Sequence, residues 1–66
     1  MATHAELDRL LVGRVFEEAQ KEYINNVEFR IIEEDGRAQN VGMEQKSTRV
    51  NVITRKGIIT QVLGMY

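Results

Sequence analysis

The sequence predicts an α+β domain in which one main helix packs on a small mixed sheet of about three strands and a long extended loop stays exposed. Three observations carry that expectation. Val15, Phe16, Ala19, Tyr23 and Ile24 repeat at helical spacing. Apolar and charged residues then alternate at period two from position 27 to 32, and two further β-rich stretches flank an Arg55-Lys56-Gly57 turn near the end.

Taken in order, Thr3 and Glu6 stand at the spacing of a capping box, which predicts a helical start at His4. Leu7, Leu10 and Leu11 share one face of that segment, and Gly13 interrupts it. The main helix follows, with Glu17, Glu18, Gln20, Lys21 and Glu22 on its polar side, and Asn25-Asn26 can end it. Val27-Glu28-Phe29-Arg30-Ile31-Ile32 reads as a half-buried strand and Glu33-Glu34-Asp35-Gly36 as a turn. From 36 to 47 the chain is polar and aperiodic, with only Ala38, Val41 and Met43 apolar. Most connections run to roughly 4–6 residues, so a loop of this length reads as the working part. Residues 49–54 and 58–63 then form a hairpin around the Arg55-Lys56-Gly57 turn. The long connection also allows the first strand to run parallel to the second.

The bulk properties bound the function. Sixty-six residues make one domain, residues 1–66, and so short a chain buries only roughly 60% of its unfolded surface. With no cysteine and one histidine there is no disulfide and no zinc pattern, so stability must come from packing alone or from packing plus self-association as a homo-oligomer. A net charge of -1 disfavours a nucleic-acid polymer as partner. No basic leader precedes an apolar run, and no stretch approaches the roughly 20 apolar residues of a membrane span. The expected location, absent a removed leader, is the cytoplasm.

Catalysis finds little support. His4 is the sole histidine, and no phosphate loop, nucleophile elbow or metalloprotease motif is present. The expectation is a non-enzyme with no catalytic residue, no metal and no cofactor. Glu17, Glu18 and Glu22 read as a solvated helix face, whereas Phe16, Tyr23 and Phe29 fit core positions. Tyr66 has no forced core place and can dock on the sheet or on another subunit. Arg37, Lys46, Arg49 and the Arg55-Lys56 pair leave two functional readings open: arginines that brace the loop, or an anion site. In the second reading Arg37, Lys46, Arg49 and Tyr66 serve a homo-oligomer that sequesters an anionic small molecule such as a signalling nucleotide, as a phage or bacterial protein of this size could.

Leu11-Val12-Gly13, Val15-Phe16-Glu17-Glu18-Ala19, Val41-Gly42-Met43-Glu44, Arg49-Val50-Asn51-Val52 and Gly57-Ile58-Ile59-Thr60 stand in an order that resembles the potato type I family of serine protease inhibitors. That family includes the barley seed inhibitors, the eglins and small bacterial peptidase inhibitors, and the resemblance covers about residues 7 to 64. It implies a protease-binding loop of Val41, Gly42, Met43, Glu44 and Gln45, held in the extended shape that a serine protease of the subtilisin or chymotrypsin kind expects of a substrate. By position, Met43 would enter the primary specificity pocket and Glu44 would follow the scissile bond. Arg49 would brace the loop from the sheet with Asn51 beside it. Gly42 stands where the family usually has threonine, and Asn51 replaces a second bracing arginine of the plant inhibitors.

Overall fold

The computed structural model describes residues 4–42 and 44–66. The Thr3 cap and Met43 lie outside the described residues, as does the side chain of His4.

Helix α1 spans His4–Leu11 and helix α2 spans Phe16–Glu22. Strand β1 is Glu28–Glu34, β2 is Arg37–Ala38, β3 is Arg49–Arg55 and β4 is Ile58–Met65. The class is α+β with a mixed sheet. Two short helices stand in place of one main helix, and the sheet has four strands in the order β2-β1-β3-β4. The central pair β1 and β3 is parallel, whereas β2 and β4 run antiparallel to their neighbours.

The fourth strand comes from a tight turn. Asp35 and Gly36 both take positive φ, 52° and 83°, the signature of a two-residue hairpin whose twist suits the flanking strands. Glu34 and Arg37 therefore face each other, and the loop expected from 36 begins only at 39. Lys56 and Gly57, with φ of 53° and 77°, make the same turn between β3 and β4. The two turns are tied together at one end of the sheet, where Asp35 Oδ1 accepts from the Lys56 amide at 2.6 Å.

The core forms between the helices and one face of the sheet. Leu11, Ala19, Val50, Val52, Ile59 and Val62 are buried there, with Phe16, Tyr23, Phe29, Ile31 and Met65 packed around them. Phe16 meets Phe29 edge-on at 5.9 Å between centroids. Ile59, Val62 and Met65 reach this face at a spacing of three because β4 carries one extra residue at each of two bulges, opposite the Ile53/Thr54 and Asn51/Val52 steps. Val15 and Ile24, which helical spacing assigns to the buried side, are instead exposed, Ile24 by 66%. The reason is the short reach of α2. Ile24 falls in the turn beyond it, and Val15 precedes it, bridging to Ile58 while Gly13 donates to the Ile59 carbonyl and Ile59 donates back to Arg14.

Candidate functional site: a braced loop on the second face of the sheet

Strict alternation along two parallel strands gives the sheet a second, polar face. Glu28 pairs with Arg49, Phe29 with Val50, Arg30 with Asn51 and Ile31 with Val52. Neighbours in a sheet share a face, so when Phe29, Ile31, Val50 and Val52 turn to the helices, Glu28, Arg30, Arg49 and Asn51 turn to the other side. Residues 39–42 and 44–48 have no regular structure and are exposed, and Gly42 and Glu44 lie on that side.

Two of the polar residues beneath the loop are not solvated surface. Asn51 is wholly buried and Arg49 is 5% exposed. Buried polar groups need partners, and these find them in the loop and in the end of β4. Arg49 Nη2 donates to the Glu44 carbonyl at 2.7 Å, and its Nε donates to the Tyr66 carbonyl at 3.2 Å. Arg30 Nη1 donates to the Gly42 carbonyl at 3.2 Å, and its Nε donates to Asn51 Oδ1 at 2.7 Å. Asn51 Nδ2 donates in turn to the carbonyls of Gly64 and Tyr66, both at 3.2 Å. The amide has one orientation that works, because arginine offers only donors and the two carbonyls only acceptors.

Tyr66 closes the arrangement. The Arg30 guanidinium lies 5.7 Å from the centre of its ring, within cation–π range. Gly64, at φ 133°, lets the chain turn back so that this ring sits 3.9 Å from where a β-carbon on Gly64 would stand.

The loop is tied down at its far end by charge. Lys46 Nζ lies 2.8 Å from Glu28 Oε1, and Arg49 Nη1 lies 4.0 Å from Glu28 Oε2. The Glu28 carboxyl is held below its ordinary range, chiefly by the Lys46 hydrogen bond; partial desolvation opposes this, and the fields of Lys46, Arg49 and Arg30 reinforce it. Glu28 also donates its backbone amide to the Thr48 carbonyl at 2.9 Å, which fixes the point where the loop enters β3.

Of the residues singled out in the sequence, Arg49 and Asn51 lie under the loop, and Val41, Gly42, Glu44 and Gln45 lie on it, exposed. Lys46, Arg49 and Tyr66 gather at one end of the sheet. Arg37 does not join them: it pairs with Glu34 at the other end of β1, about 20 Å away at 3.3 Å per residue. Lys46 and Arg49 are also already engaged with Glu28 and with main-chain carbonyls. Two participants escape a reading by residue type, Arg30 and Glu28. Their signal is the phase of the alternation, since Glu28-Phe29-Arg30-Ile31 aligned in parallel with Arg49-Val50-Asn51-Val52 puts all four polar residues on one face.

Among the described residues no cluster of acidic, histidine or cysteine side chains could hold a metal ion, and no helix is long and apolar enough to cross a membrane. Comparison of the chain with protein families, with curated proteins and with solved structures finds no match.

Proposed function

We propose that this chain is a serine protease inhibitor-like binding protein, without catalysis of its own, that offers residues 41–45 to a protease of the subtilisin or chymotrypsin type. One observation carries the reading. The carbonyls of Gly42 and Glu44, the residues on either side of position 43, are each gripped by an arginine rising from the sheet. A segment ordered before it meets an enzyme loses less conformational freedom on binding, so the same contacts yield a tighter complex. Met43 is the residue assigned to the primary pocket, with Glu44 following the bond to be cut.

The same two arginines explain why such a loop would resist turnover. Were the bond between 43 and 44 cleaved, Arg30 would retain the upstream piece through Gly42 and Arg49 the downstream piece through Glu44. The new amine would stay beside the acyl-enzyme at high effective concentration, and rejoining would compete with release.

The test is a titration of subtilisin and chymotrypsin of known active-site concentration with the purified chain. The expected result is stoichiometric inhibition that is lost in Met43→Gly. Rapid cleavage after Met43 without inhibition, or inhibition unaffected by that substitution, rules the reading out.

A further inference from the structure

On the helix side of the sheet, opposite the loop brace, the molecule has a half-open pocket of about 530 Å³. We propose that this pocket binds a neutral amphiphilic small molecule, one with an alkyl or aryl body and a single uncharged hydrogen-bonding head. Its size falls within the roughly 300–1,000 Å³ usual for small-ligand sites.

The class of ligand follows from the walls. Leu7 and Leu10 of α1 line the pocket with Val27, Phe29 and Met65, and all of these but Leu10 also pack against the core. Polar groups come from two adjoining turns, with Tyr23 and Asn26 after α2 and Ser47 and Thr48 before β3. The bond from the Glu28 amide to the Thr48 carbonyl ties the start of β1, just after the first turn, to the second. None of the lining residues is charged, although 29% of the chain is. A carboxylate or phosphate would enter such a site without a counter-charge and lose its hydration, which disfavours anions strongly. An alcohol, phenol or amide head needs only the hydroxyls and amide already present.

The pocket also answers for an otherwise unaccounted leucine. Leu10 lines the pocket yet is 50% exposed, and a seated ligand would remove part of that surface from water. The inference does not depend on the protease reading, because the loop brace lies on the other face.

The experiment is a fluorescence titration of the full chain with phenylnaphthylamine, a neutral probe that brightens in apolar surroundings, followed by displacement with decanol and with decanoate at neutral pH. The expected result is saturable one-to-one binding on a monomer. Decanol should displace the probe at concentrations on the order of tenfold lower than decanoate. Leu10→Glu and Ser47→Glu, both at exposed positions, should each weaken probe binding by about tenfold or more while leaving the thermal melt in place. Four results would overturn the proposal: no saturable signal, equal displacement by decanoate, binding unmoved by either substitution, or sedimentation as a dimer that excludes the probe, which would assign the groove to a second copy.

Discussion

Arg30 Nε donates to Asn51 Oδ1 at 2.7 Å, and through this bond the brace on Gly42 and the anchor on Gly64 and Tyr66 become one network. Lysine at position 30 would keep the charge but not the fork that serves two acceptors at once. Arg30→Lys should therefore speed nonspecific proteolysis within residues 39–48 several-fold while shifting the melting temperature little. Asn51→Ala should behave differently, because it removes three hydrogen bonds made from a wholly buried position, to Arg30, Gly64 and Tyr66, and costs about 1–3 kcal/mol. For a domain of this size each kilocalorie corresponds to roughly 4–8 °C of melting temperature, which calorimetry resolves.

Gly42 does not need to be glycine for its own geometry. Its φ is not in the left-handed region, and a β-carbon there would meet nothing within 4 Å. Gly42→Ala should stabilise the fold by about 0.4–1 kcal/mol by narrowing the freedom of the unfolded chain. The same substitution should tighten protease inhibition by a few fold. A lower melting temperature would show that residue 42 relies on conformations closed to alanine.

Thr54 presents the opposite case, a polar atom with no visible return. It is 1% exposed, and its Oγ1 has no hydrogen-bond partner. Thr54→Val keeps the shape and removes the unsatisfied hydroxyl, so a gain of about 1 kcal/mol is expected in denaturant melts. A loss of stability would mean that the hydroxyl is bonded in solution.

The Lys46 to Glu28 tie predicts an acid-sensitive loop. Because the folded protein lowers the Glu28 pKa, its contribution is complete above the unfolded-state value and disappears as pH falls through the folded one. Amide exchange at residues 44–48 should accelerate across that acidic window. Glu28→Gln should already exchange faster at neutral pH and show a flatter acid response. An identical pH profile in the two proteins would exclude Glu28 as the titrating group.

How much of this was legible depended on the length of each pattern. The phase of residues 28–31 and 49–52 is visible in the sequence because each run spans two full alternations, enough to assign a strand and its two faces. Strand β2 has two residues, too few to show a period, so only the Asp35-Gly36 pair marks its hairpin. The α2 boundary was less accessible: Ile24 continues the apolar spacing, yet the chain turns after Glu22. The spacing of Ile59, Val62 and Met65 matches neither strand nor helix templates, since bulges arise from pairing with β3 and leave no local mark. Arg30 was hidden for a related reason. Its role depends on a parallel partner 21 positions away, which the residue types around it do not reveal.

The shared register of β1 and β3 makes correct folding and a competent loop inseparable. A slip of β1 by one position against β3 would turn Arg30 toward the helices and Phe29 toward the loop side, so the core and the brace would fail together. Single-residue insertions between 28 and 31 should thus be far less tolerated than insertions at the hairpin tips. Any copy that reaches a packed interior has, by the same act, aimed its arginines.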